Sequence, residues 1–239
     1  MNRVTSFIVG SVALAISGAS PSGAAPLSPS AYPELDPRQL GHLRHIVRLA
    51  HQLPGDWSFM GGYEPGQMHN EGYRFQLAYM VYTLGLAQYH TTPAYRELYQ
   101  DTMQRLISKM LRRDVWGYWW LMSQGSRKWD RDLEELHPPQ MDPIAPKNIM
   151  YSGHVLMMVG LYEMLYRDGR YDAPGSLTVT FPHGVRGPID FEYDANRLAE
   201  VIYDEMVVQN HGLGTECEVN DIYVICNQYP LLGFLHHDH

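Results

Sequence analysis

Two stretches of this chain hold chemically competent side chains at short, regular spacing. In Thr215-Glu216-Cys217-Glu218-Val219-Asn220-Asp221-Ile222-Tyr223-Val224-Ile225-Cys226-Asn227-Gln228, the only two cysteines stand nine apart among carboxylates. Thiols relay protons as well as attack carbon. The competing reading is a small disulfide in an acidic, hairpin-like surface loop, and spacing alone leaves both open. In Asn148-Ile149-Met150-Tyr151-Ser152-Gly153-His154, Met150 and His154 are four apart and share one helix face, beside small residues that permit close approach. That histidine is either hydrogen-bonded core or a proton carrier. A third stretch, Gly55-Asp56-Trp57-Ser58-Phe59-Met60-Gly61-Gly62, sets a carboxylate against an aromatic wall. Such surroundings raise a carboxyl's pKa and suit acid–base work, whereas the alternative role for Asp56 is a helix cap. His42 and His45, and the terminal His236-His237-Asp238-His239, are metal-ligand types, but the pair falls on a surface helix and the tail frays, so no metal is expected. The chain has no glycine-rich phosphate loop, nucleophile elbow or HExxH pattern.

Helices must position these groups. From Asp36 to Leu53, Leu40, Leu43, Ile46, Val47, Leu49 and Ala50 recur at three and four, with Pro37 in the first turn and Pro54-Gly55 as the stop. A second pattern from about Gln67 to Tyr89 is apolar almost all round and belongs inside. A third, Ala94 to Arg112, carries one apolar stripe. Between Val115 and Asn148 the period vanishes into Trp116-Gly117-Tyr118-Trp119-Trp120, a charged run, and Pro138, Pro139, Pro143 and Pro146; irregular stretches this long usually carry function. Lys147 to Tyr166 reads as another interior helix. A β-like piece, Leu177 to Phe181, an amphipathic helix from about Tyr193 to Gln209, and a helical run from Tyr229 to Leu235 follow. Buried and amphipathic helices in alternation predict an all-α chain, an α/α toroid of helical hairpins, with a simple bundle as competitor. Six helices, roughly, are half of what a six-hairpin ring needs, which implies a half barrel or a shortened chain.

The balance of 18 Lys+Arg against 26 Asp+Glu leaves −8 with no basic stripe, which argues against a nucleic-acid partner. Tyrosines outnumber phenylalanines 17 to 6, which suits a cleft of apolar faces with polar tips. Arg3, the uncharged run Phe7 to Ile16 and Ser17-Gly18-Ala19-Ser20 read as a signal peptide over residues 1–19, with a signal anchor as the lesser alternative. Residues 20–33 read as a linker and 34–239 as the folded domain. The expected location is the secretory pathway or outside the cell, with no stable membrane insertion.

The blocks Lys147-Asn148-Ile149-Met150-Tyr151-Ser152-Gly153-His154, Gly160-Leu161-Tyr162, and Cys217-Glu218 with Cys226-Asn227 resemble the linalool dehydratase-isomerase family and its fungal relatives. Val115-Trp116-Gly117 and the Leu77 to Ala87 helix agree. The resemblance implies an (α/α)6 barrel, here only its N-terminal half, whose apolar cavity dehydrates or isomerises small terpenoid alcohols without a cofactor. Carried over by position, it implies catalytic roles for Asp56, His154, Cys217 and Cys226. It places Met150 and Tyr223 on the cavity wall, and Trp57, next to Asp56, is read from the sequence as part of the same apolar wall. Tyr63 falls near a companion tyrosine, seven residues after Asp56 where the family has six. Because both cysteines occupy active-site positions, the resemblance argues for free thiols. It also implies a second half beyond His239, without which buried helices expose apolar faces, so self-association is expected. Two rival readings are a carbohydrate-active toroid working through Asp130 and Glu134 with the Trp116 to Trp120 loop as a sugar platform, and a non-catalytic module.

Overall fold

The computed structural model describes residues 34–61, 72–128 and 130–238, all within one unit spanning 33–239. The expected signal peptide and linker, Tyr63, the start of the second helix before Gly72, and His239 lie outside the described residues.

Helix α1, Pro37–His51, begins where expected because Asp36 closes a capping box. Its carboxylate accepts the Gln39 amide at 2.8 Å, and the Gln39 side chain accepts the Asp36 amide at 2.9 Å. Helix α2, Tyr73–His90, buries Leu77, Ala78, Val81 and Leu84. Helix α3, Arg96–Met110, follows a single 3-10 turn at Pro93–Tyr95 and buries the stripe Tyr99, Met103, Leu106, Ile107 and Met110. Helix α6, Ile149–Tyr166, is the centre of the fold and packs against α2, α3, helix α7 (Ala195–Tyr203) and helix α8 (Val224–His237). Its lack of a solvent face, read from Ile149, Val155, Leu156 and Val159, follows from that position.

Several expectations need correction. The stretch after Val115 is not wholly irregular. Two single-turn helices, α4 (Arg113–Trp116) and α5 (Trp119–Met122), form there because Trp116 and Trp119 are core residues, 1% and 0% exposed, with indole N–H groups donating to Leu111 O and Gln140 Oε1. Their burial takes both indoles out of the expected sugar platform and leaves half-buried Trp120, which stacks on Phe181 at 5.0 Å. The β-like piece is a two-stranded hairpin, β1 (Val179–Gly184) with β2 (Gly187–Phe191), paired Val179 to Phe191 and Phe181 to Ile189. Its second strand was not expected because Gly187, Pro188 and Asp190 are poor strand formers. The amphipathic helix ends at Tyr203 and widens into a π-helical turn, Asp204–Gln209. The cysteine segment is not a hairpin: Cys217 lies in a loop closed by a Glu218–Asp221 bridge, whereas Cys226 is on the first turn of α8. Among the described residues, then, the chain is mostly helical with one small sheet.

Glycines set the approach of α6 to α8. A Cβ on Gly153 would stand 2.7 Å from Pro230 Cδ, on Gly160 2.8 Å from Gly233 O, and on Gly233 2.7 Å from Leu156 Cγ. Three bare backbones therefore bring the two helices together, and with them the side chains each carries toward the other.

Candidate functional site

Cys217 and Cys226 face each other with their Sγ atoms 3.0 Å apart, 3% and 5% exposed. Both are free thiols; a disulfide would need about 2.05 Å. Their juxtaposition is built by side-chain hydrogen bonds from two asparagines. Asn227 accepts the Thr215 amide at 2.7 Å and donates to Thr215 O at 3.0 Å and Tyr223 O at 2.9 Å, tying the Cys217 loop to α8. Gly214, at φ +92°, lies where a Cβ would come within 2.7 Å of Asn227 Oδ1, so only glycine lets this clasp close. Asn148, fully buried, accepts Tyr118 Oη–H at 2.9 Å and donates to Pro143 O at 2.8 Å. The Ile149 amide then donates to Glu216 O at 3.2 Å, which docks the Cys217 loop on the start of α6.

The two thiols are pushed in opposite directions. Cys217 goes up because it donates a hydrogen bond to Cys226, is buried, and lies near the Glu218 carboxylate. Cys226 goes down because it accepts that bond, with the Arg74 guanidinium adding to the effect. Of the two thiols Cys226 is thus the readier to release its proton, and Cys217 is the one that keeps its own.

His154 is fully buried on α6. Its Nδ1 pairs with Tyr82 Oη at 2.7 Å, while Nε2 has no hydrogen-bond partner. Burial first, and Arg74 second, hold its pKa down at about 3, so the imidazole is neutral at physiological pH. Aromatic rings enclose it, with centroids of Tyr229 at 4.0 Å, Phe75 at 5.7 Å, and Tyr79 and Tyr82 at 6.0 Å. Met150 projects from the same helix face, and its sulfur accepts from Arg74 Nη2 at 3.5 Å.

Of the other residues singled out in the sequence, Tyr223 adjoins the thiols, which add to burial in raising its phenol, whereas the rest share no described contact with the thiols or His154. Asp56 has the opposite electrostatics from those expected: the Ser58 side chain and the Ser58 amide, the latter at 2.9 Å, hold its carboxyl below the ordinary aspartate range. No described hydrogen bond, ion pair or ring contact joins it to His154, Cys217 or Cys226. Trp57 stacks on Tyr73 at 4.3 Å and donates to Asp114. Tyr223 is 40% exposed at the start of α8. Asp130 receives Asn220 Nδ2 at 2.5 Å, and Glu134 is exposed on the same surface loop, so neither is part of a shared cleft. Exposed His42 and His45 have no third ligand; among the described residues no group of three or more His, Cys, Asp or Glu could hold a metal.

The sequence reading missed Arg74, Tyr82 and Tyr229. Apart from histidine, Arg74 is the one charged residue in the otherwise apolar α2, and that isolation was the available signal. Tyr82 and Tyr229 gave none, because their role depends on two separate helices meeting at His154.

The buried thiols of split proton affinity and the neutral imidazole in its aromatic enclosure, both acted on by Arg74, are groups whose chemistry is acid–base. The sequence agrees with that class: the linalool dehydratase/isomerase family model matches residues 74–239, and the chain belongs to that family. Asp56, Trp57 and Tyr63 precede the matched region. No helix among the described residues is long and apolar enough to cross a membrane.

Proposed function

We propose that this chain dehydrates or isomerises a terpenoid allylic alcohol without a cofactor, with Cys217, Cys226 and His154 moving the protons. The observation that carries the reading is the buried thiol pair with opposite pKa shifts, 3.0 Å apart. Protonation of the hydroxyl by the Cys226 thiol, whose thiolate form the Cys217 S–H and Arg74 support, releases water and leaves a delocalised allylic cation. The faces of Tyr82, Tyr229 and Phe75 around His154 favour such a cation. The Cys226 thiolate so formed then takes a proton from the adjacent carbon to give the diene, which restores the Cys226 thiol. When water instead returns at the other end of the allylic system, its extra proton goes to Cys226 and the hydroxyl has moved. His154, neutral and with Nε2 unpartnered, relays protons at the alkene end. Met150 shapes the wall, and Trp57 and Tyr223 are assigned to its periphery. Asp56 is the weakest member of the set, because it is already ionised and lacks a described link to the thiols. The fold we assign is the α/α toroid, its helical hairpins stacked around α6.

Cys226→Ala and Cys217→Ala should each abolish conversion of linalool or geraniol, followed by gas chromatography with mass detection, while helical circular dichroism is retained. Full turnover in either folded variant would refute the mechanism.

A further inference from the structure

Arg74 is 2% exposed and has no carboxylate partner among the described residues. Its guanidinium lies over two rings, 4.0 Å from the Tyr118 centroid and 4.4 Å from that of Phe75. Ring contacts of this kind engage the face of the cation, and hydrogen bonding is left to its in-plane N–H edge. Along that edge Nη2 reaches only the weak acceptor Met150 Sδ at 3.5 Å, and Nε and Nη1 have no partner at all. A buried guanidinium with unmet donors is costly, and a planar oxyanion that accepts two parallel N–H bonds is the chemistry that satisfies it. The hydrogen-bond partner described at this edge is a thioether on three rotatable bonds, which can swing aside.

We infer that Arg74 is a carboxylate-recognition residue of this same site, and that the ligand it selects is a terpenoid acid, its carboxylate bidentate on Arg74 and its hydrocarbon chain running toward Cys226 and His154. This rests on the terpenoid reading of the site and refines its substrate class from a neutral alcohol to an acid-bearing one.

The test uses the full chain under reducing conditions and compares binding of geranate, geraniol and acetate by calorimetry, alongside turnover of geraniol. Geranate should bind about tenfold or more tightly than geraniol, as expected for a charge-assisted bidentate pair. Arg74→Gln should bring that ratio to about one, and Arg74→Lys, which keeps charge but loses the planar fork, should restore only part of it. Geranate binding no tighter than geraniol, with geraniol still converted, would overturn the inference and leave the proposed function intact. Acetate binding as strongly as geranate would overturn it too, by showing a free-anion site. Absence of both binding and turnover for every terpenoid would overturn both. The wild-type comparison decides the matter even where Arg74→Gln fails to fold.

Discussion

Single residues in this protein derive their chemistry from burial more than from neighbours of opposite charge. His154 is neutral because it is desolvated, and Glu205 is held up at about 7 against an ordinary 4.5 for the same reason. Glu205 accepts the Lys147 amide at 2.9 Å through Oε1, leaves Oε2 unpartnered, and so supports the loop that enters α6. A carboxyl raised in the fold gives stability that is fully present below pH 4.5 and is lost as pH rises through about 7. At about 1.4 kcal/mol per unit the loss reaches at most about 3 kcal/mol. His154 has the opposite sign, since its contribution is present above about 6.5 and is lost as pH falls toward 3. The two slopes oppose each other where they overlap, so the comparison with Glu205→Gln isolates one of them. Melting temperature of Glu205→Gln relative to the native protein should climb steadily from pH 5 to pH 8; an offset that does not vary with pH would contradict the assignment.

At the scale of elements, the site exists because α6 and α8 touch backbone to backbone. Gly160→Ala places a methyl 2.8 Å from Gly233 O, a backbone atom that cannot rotate away. The helices must separate, at a cost of about 1–3 kcal/mol for an overpacked core, and Cys226 on α8 moves relative to His154 on α6. Denaturant melts should show that loss together with a fall in turnover larger than the unfolded fraction explains; native stability in Gly160→Ala would show that the contact is slack. The sequence made α1, α2, α3 and α6 legible, because caps and periodicity are local and strong there. It made β2, α4 and α5 illegible, because their formation depends on Trp116, Trp119 and Phe181 finding tertiary partners. The Cys217 to Cys226 segment looked like a hairpin by spacing alone, whereas Asn227 splits it between a loop and a helix.

Over the whole molecule, α8 presents two different faces. Cys226, Asn227, Pro230 and Gly233 point inward, while Val224, Ile225, Leu231, Leu232 and Leu235 are 42% to 76% exposed. An apolar row of this extent predicts self-association, to be read by sedimentation velocity; a monomer at all concentrations would refute it. Of the site, the thiols, His154 and Met150 could be found from sequence because their spacing is fixed within short blocks, but Arg74 and the tyrosine enclosure could not, because they assemble across helices. The central claim is that the thiol pair is where the terpenoid alcohol reacts. The most direct measurement is mass-spectrometric alkylation of the native, reduced protein at Cys226, with and without linalool, with turnover followed in the same samples. Linalool at ten times its dissociation constant should slow labelling about tenfold, and activity should fall in proportion to the label. Labelling indifferent to linalool, with alkylated protein still fully active, would contradict the account.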